Sequence, residues 1–392
     1  MVPLVNHHRE NNKRHLSERK NSRALQICLG IESTAHTFGV SVVSHKEGKK
    51  LGSILSDVKN VYKAPPGSGI HPREASHHHA QVATEVLQQA LQVARINIKE
   101  VNAIAYSEGP GLGPCLRVGA VVARALSSRY QKPLIPVHHG VAHIELGAML
   151  TGLSDPVVLL VSGGHTMINA HSGGRWRIFG ETLDLTIGQL VDQFGREAGH
   201  SSPCGQRIER LAQDSHEYIS LPYSVKGNDV SFSGLLTAAK NLLHDGRSLS
   251  DLCYSMQETA FDMLAEVTER ALAFTEKQEV LLVGGVAANN RLKEILSQMC
   301  LARKAKFASV PIGYSGDCGA QIAWTGLVGA LSGASVPIER SKVHPSWRLD
   351  RVNIPWRTDP TRCRGQHLSW QVVWSPSYFQ TTSAQSLSTA QH

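Results

Sequence analysis

No CxxC pair occurs among the seven cysteines (28, 115, 204, 253, 300, 318 and 363), and their number is odd. Neither a disulfide framework nor a thiolate zinc site is suggested, so a reducing, cytoplasmic setting fits. No apolar run approaches the roughly 20 residues needed to cross a bilayer. The longest, Val157 to Val161 and Val280 to Val283, end at glycines within a few positions and read as buried strands. A GxxxxGK[ST] loop and a GxGxxG fingerprint are both missing, which removes the usual support for a P-loop NTPase or a dinucleotide oxidoreductase. HExxH is missing too: Gly140 follows His139, so the zinc-protease base is not where that chemistry needs it.

What is present is a chain of 392 residues, 41% hydrophobic and 18% charged, enough to bury two ordinary cores. The formal charge of +8 suits a polyanionic partner such as RNA without requiring one. Residues 1–24 are polar and basic and residues 358–392 are rich in Ser, Thr and Gln. Both are expected to be disordered extensions, and Glu10 and Glu18 argue against a transit peptide. No RRM, KH or zinc-knuckle signature appears.

Between the ends, short β-branched runs alternate with longer helical stretches, the pattern of an α/β protein. Three apolar runs end in similar small-residue turns: GIEST at 30–34, SGGHT at 162–166 and GGVAAN at 284–289. Such turns leave backbone N–H groups free to face an anion. Two of them about 130 residues apart suggest a duplicated domain with a ligand cleft between the halves, 25–150 and 151–357.

The sharpest local signal is HHGVAHIE. His139 and His143, four apart, project from one face of a helix and can chelate one metal ion. Asp317, among small residues just before a helix, is a candidate third ligand. The alternative, Asp317 as a plain N-cap beside core or solvated histidines, stays open at this point. GIHPREASHHHA (69–80) reads as a turn followed by a helix start, with His71, Arg73, Glu74 and His77 to His79 available to a substrate. SEGPGLGPCLRVGA (107–120) forms a turn before a helix expected near Leu116, with Arg117 open to an anion. Asp184 is expected in a loop, Asp192 on a helix and Glu209 just beyond Gly205, where carboxylates can meet ribose hydroxyls.

Taken together and in order, GIESTAHTFGV, GIHPREASHH, GPGLGPCLRVGA, HHGVAHIE, LLVSGGHT, GETLD, YSVKGNDVSFSGLLTAA, DLCYSMQETAF, LLVGGVAANNRL and GDCGAQIAWTG resemble the universal threonylcarbamoyl-transfer family. Its members are called TsaD in bacteria and form the catalytic subunit of the archaeal and eukaryotic KEOPS complex. The resemblance runs from about Ile27 to Trp356, and the HPREASHH and VSFSGLLTAA wordings are closest to the archaeal form. It implies an actin-like ATPase (ASKHA) fold of two related domains around a nucleotide cleft. It also implies one divalent ion, iron or zinc, held by His139, His143 and Asp317. Ser162, Gly163, Gly164, His165, Thr166, Asp192, Gly205, Glu209 and Asn289 are then expected at the nucleotide. The implied reaction attaches the threonylcarbamoyl group of threonylcarbamoyl-AMP to N6 of the adenosine 3′ of the anticodon, in tRNAs reading codons that begin with A. ATP binding, a kinase-like partner and a small dimer-forming partner are implied as well, with no membrane.

N6 of adenine is a weak nucleophile because its lone pair is delocalised into the ring, so a mixed anhydride with AMP supplies the leaving group and a metal can stabilise developing charge. No general base stands out. Several positions depart from the family wording: Cys204 and Gln206 flank Gly205, Ser315, Cys318 and Gln321 surround Asp317, His138 replaces an asparagine, Asn228 a methionine and Glu108 a glutamine. A β-carbon at Cys204 is expected to crowd the nucleotide. Two other readings compete: a non-catalytic nucleotide-binding scaffold in a KEOPS-like assembly, and a metallopeptidase.

Overall fold

The computed structural model describes residues 25–46, 52–65, 68–215 and 217–357. The polar extensions expected at 1–24 and 358–392 lie outside the described residues. The first half runs β1 (Leu25–Glu32), β2 (Thr37–Lys46), β3 (Gly52–Val61), α1 (Pro72–Ala94), β4 (Ala103–Gly109), α2 (Gly113–Tyr130), β5 (Leu134–His138) and α3 (His139–Thr151). The second runs β6 (Val157–Val161), β7 (Thr166–Ser172), β8 (Arg175–Glu181), α4 (Ile187–Glu197), α5 (Gly205–Gln213), a small β9 (Val225–Lys226) and β10 (Asp229–Val230) pair, and α6 (Ser233–His244). It continues with α7 (Leu249–Thr275), β11 (Glu279–Val283), α8 (Asn290–Ala302), β12 (Lys306–Ser309) and α9 (Gly319–Leu331). Helix α2 opens at Gly113, three residues before Leu116, because Pro114 is compatible with a first helical turn.

Each half builds a five-stranded sheet, in the orders β3-β2-β1-β4-β5 and β8-β7-β6-β11-β12. The first three strands of each form an antiparallel meander, and the last two join it parallel through helical crossovers. The two sheets therefore share one topology. Strands buried on both faces, such as β6 with all five residues buried, read as unbroken apolar runs, as parallel sheet interiors require.

Helix α9 comes last in sequence among the long elements yet packs across β1, β2 and β4 of the first sheet. Glycine makes the contact possible: a Cβ on Gly30 would lie 2.1 Å from the Ala323 backbone nitrogen. Helix α3 lies between the two sheets, with 11 of its 13 residues buried. Val141, Ile144 and Ala148 join the core of the second sheet, while Ala142, Leu146 and Met149 join a core shared by the first sheet and α9. The segment after α9 ties the halves together: Lys342 O accepts the Tyr106 hydroxyl, His344 N–H donates to Glu108 O, and Ile354 N–H donates to Gly174 O. No helix among the described residues is long and apolar enough to cross a membrane.

Gly30→Val is expected to push α9 off β1 and lower the unfolding free energy by about 3 kcal/mol, as overpacking of a dense core does. Denaturant titration checks it, and an unchanged midpoint would contradict the close approach.

Candidate metal centre and nucleotide cleft

No loop separates β5 from α3. His138 ends the strand and caps the helix, its Nδ1 accepting the Val141 N–H at 3.3 Å while its Nε2–H donates to Trp347 O at 3.1 Å. Burial pushes its pKa down to about 3, so it stays neutral in that capping tautomer. His139 and His143 follow on the first two turns and bring their rings to 4.7 Å apart.

Asp317 meets them from the loop before α9. Its Oδ1 lies 3.4 Å from His139 Nε2 and 3.3 Å from His143 Nε2, and the three donor atoms sit within 4.8 Å of one another. Asp317 is not the cap of α9. Cys318 holds that position without a side-chain cap bond, and the Ala320 N–H is taken by Asp57 Oδ1 at 3.1 Å from strand β3. The aspartate is thereby left for the histidines.

Behind the trio, Glu32 at the end of β1 is fully buried and accepts at Oε2 from His139 Nδ1, 3.1 Å away. Its other oxygen accepts from Thr34 N–H at 2.6 Å and from the Thr34 hydroxyl at 2.5 Å. Gln321, on the first turn of α9, reaches the same His139 Nδ1 at 3.2 Å. Burial works against a charge on His139, but the Glu32 and Asp317 carboxylates outweigh it and hold its pKa up to about 10. Burial likewise opposes ionisation of Asp317, yet the two histidines hold its carboxyl well below the usual range. His143 is pushed down by burial, and its Nε2 is buried without a well-formed hydrogen bond. Two imidazoles, one of them with a buried Nε2 in no well-formed hydrogen bond, and a carboxylate are a donor set that fits a divalent transition metal. The carboxylate behind His139 is the outer-shell partner that ligating histidines usually have.

The ring of His165 stacks on His139 with centroids 6.2 Å apart, which makes the 162–166 turn the neighbour of this cluster. Ser162 Oγ accepts from the N–H groups of Gly164 at 3.2 Å and His165 at 3.0 Å, and Thr166 Oγ1 accepts the first N–H of α4, from Ile187. Gly163 and Gly164 are exposed, with open space where side chains would be. Beside the turn, β11 runs into Gly284, where φ is +98° and a Cβ would meet Val161 O at 2.2 Å. Two of the three glycine turns thus meet at the carboxyl ends of adjacent parallel strands, where open α/β sheets bind ligands.

Asn289 caps α8, accepting from Leu292 N–H at 3.2 Å, and donates to Gln257 Oε1 at 2.8 Å. Glu209 accepts the N–H of Asn290 at 2.8 Å. Glu209, Gln257 and Asn290 line a cavity of about 440 Å³ together with Tyr254, Glu258 and Arg291. Asp192 is engaged differently: its Oδ1 accepts the Cys204 N–H at 2.7 Å and so pins the turn before α5 to α4. Gly205 opens α5 with its Cα side unobstructed. Asp184, in its loop, gathers the Ser231 and Ser233 hydroxyls and the backbone N–H groups of Leu185, Phe232 and Ser233. His71 caps α1 only by position, and His79 is buried with its Nε2–H on Ala35 O at 3.1 Å.

The expected crowding at Cys204 is corrected here. Its backbone is right-handed, at φ −90° and ψ −8°, which any residue adopts. The side chain is fully buried and turns inward, occupying the space beside Gly195, where a Cβ would come within 2.5 Å of its sulfur.

Comparison with known proteins gives the same picture from another direction. A family model described as TsaD, tRNA N6-adenosine threonylcarbamoyltransferase, matches residues 53–324. The chain is 50% identical over 332 residues to the tRNA N6-adenosine threonylcarbamoyltransferase of Caldivirga maquilingensis, covering 85% of this chain and 98% of that one. It is 50% identical over 331 residues to the protein of the same name from Thermococcus sibiricus, covering 84% and 100%. Among solved structures, T. kodakarensis HypF aligns with a TM-score of 0.55 at 13% identity, over 79% of this chain and 48% of that one. A full-length HypF in a phosphate- and nucleotide-bound form aligns at 0.53 and 11%, over 78% and 46%. The chain spans about half the length of both, and that likeness concerns the fold alone. The expected actin-like ATPase (ASKHA) architecture is present.

Because the Cys204 side chain fills core rather than cleft, Cys204→Gly is expected to cost about 1–2 kcal/mol of stability through the space left beside Gly195. Adenine-nucleotide affinity is expected to stay the same. Calorimetry on both proteins checks this; tighter nucleotide binding by the glycine variant would restore the crowding account.

Proposed function

The chain belongs to the tRNA N6-adenosine threonylcarbamoyltransferase family, and we propose that it moves the threonylcarbamoyl group of threonylcarbamoyl-AMP onto N6 of the adenosine 3′ of the anticodon, in tRNAs reading codons that begin with A. The observation that carries the reading is the convergence of His139, His143 and Asp317 beside the 162–166 turn. A metallopeptidase is not favoured, and neither is a scaffold without catalysis.

In this reading one divalent ion, iron or zinc, is held by His139, His143 and Asp317. Such an ion would supply Lewis acidity to an oxygen of the donor. The chain's own groups do the rest. The exposed, side-chain-free backbone of Gly163 and Gly164 lines the phosphate side of the cleft, with Ser162 holding their turn and Thr166 tying it to α4. Glu209 borders the cavity that takes the nucleoside, Asn289 acts through Gln257 on its wall, and Asp192 acts through the turn before Gly205. The new N6–C bond forms as the C–O bond to AMP breaks, and N6 gives up a proton. Much of the rate comes from holding two reactants in line.

The halves 25–150 and 151–357 act as two lobes around the cleft, with α9 of the second completing the first. The site of action in this reading is the cytoplasm. Of the basic residues near the end, Arg357 is bound to Glu145 and Arg348 to Glu181, while Arg340, Lys342 and Arg351 are exposed. Exposed cations hold phosphates without choosing a base. Selection of one adenosine is therefore shared with KEOPS-type partners, a kinase-like subunit and a small dimer-forming subunit.

Two outcomes are expected. Alanine at His139, His143 or Asp317 lowers bound metal, read by mass spectrometry of the purified protein; unchanged metal in all three variants sinks the assignment. The isolated chain turns over slowly, and the partners raise its rate, in assays with radiolabelled threonine, an adenylate-forming enzyme and tRNA. Full activity from the chain alone refutes the need for partners.

A further inference from the structure

Gln321 is a fully buried amide on the first turn of α9, where its polar end costs free energy unless it is bonded. Its amide lies 3.2 Å from His139 Nδ1, the nitrogen that also faces Glu32 Oε2 at 3.1 Å. A carboxylate only accepts, so Nδ1 carries the hydrogen, and Nε2 is the nitrogen that faces Asp317 and His143 and would give up its own proton to a metal. An amide nitrogen cannot donate to a nitrogen that already holds a hydrogen. The amide is therefore turned with its oxygen toward the ring, since a half-turn about its last torsion exchanges its two ends. Its NH₂ group then faces the buried Cys318 sulfur, 3.8 Å from the other end of the amide.

We propose that Gln321 is a positioning residue of the metal centre: its amide oxygen is a second acceptor for the His139 Nδ1–H, steered from behind by Cys318. With Glu32 alone, the imidazole can swing about the single bond it makes. With acceptors from β1 and from α9, the ring plane is fixed between two elements on either side of it, and Nε2 is aimed at the point shared with His143 and Asp317. Gln321 stands two residues after the start of α9 and Asp317 two residues before it in the adjoining loop, so one stretch of chain sets both a ligand and the orienter of another ligand. The inference rests on the metal assignment proposed above.

The test compares wild type with Gln321→Met, an apolar side chain of similar length. Co(II) is titrated in against a chelator, and its visible ligand-field bands are recorded. In the metal-free proteins, the His139 Nδ1–H resonance is followed by NMR. The expected result is a roughly 10-fold or greater loss of Co(II) affinity with altered bands, as loss of an outer-shell partner causes. A shifted, faster-exchanging Nδ1–H is expected in the metal-free variant. Wild-type affinity and an unmoved Nδ1–H in Gln321→Met overturn the proposal. Should wild type bind no Co(II), the metal assignment fails by itself, and the Nδ1–H comparison still decides whether Gln321 holds the ring.

Discussion

Everything at the site depends on α3 being buried on every side. A helix wedged between two sheets has no solvated face on which to park polar groups, so each one it carries must be met by a partner from elsewhere. Its three buried polar side chains all face groups distant in sequence. His139 faces Glu32 and Gln321, His143 faces Asp317, and Glu145 accepts from Trp176 Nε1 at 3.3 Å and from Arg357 at 2.7 Å. Arg357 also lies over the Trp176 ring, 4.8 Å from its centroid, which adds a cation–π contact to the ion pair. The same burial that excludes water from α3 draws β1, α9, β8 and the C-terminal segment onto it.

The repeated topology explains why the reactive groups gather at one end. In both sheets the parallel strands point the same way relative to their meanders, so β6 and β11 release their turns side by side. Strand β5 releases His138 and His139 directly into α3. A ligand lying across β6 and β11 is therefore within reach of residues delivered by β5. The stacking of His165 on His139 is the point where the two deliveries touch. Catalysis of group transfer needs this adjacency, because the charged donor must be held by one set of groups while another acts on its reacting carbon.

How much of this could be read beforehand divides along sequence separation. The three apolar runs with small-residue turns marked β1, β6 and β11, since burial on both faces leaves an unbroken apolar signature. The His139 and His143 spacing marked one helical face, and Asp317 stood out by its small neighbours. Glu32 belonged to a noted turn, but nothing local ties it to His139, 107 residues away. Gln321 was visible only as a departure in wording, 182 residues from the ring it touches. The packing of α9 on the first sheet had no periodic mark either, because Gly30 and Ala323 meet through an absence of side chain. Asp192 shows the reverse case: a carboxylate placed near a cleft by sequence is spent on a backbone N–H of the next turn.

The departures in wording follow a rule that the contacts make plain. His138 keeps the one function a short polar cap must have, an acceptor for the third N–H of the helix, and adds a donor to Trp347. Cys204 fits because Gly195 opposite it has no side chain, so the thiol takes space that two glycines would leave empty. Gln321 brings hydrogen-bonding atoms to a buried place where an apolar chain would also fill the volume, and it finds His139 and Cys318 to satisfy them. Each of these three changes is absorbed in the layer behind the cleft, where one new side chain can be answered by one neighbour. The three donor residues have no such freedom, since each supplies an atom to a single shared point, and a replacement at any of them has no neighbour that can answer for it.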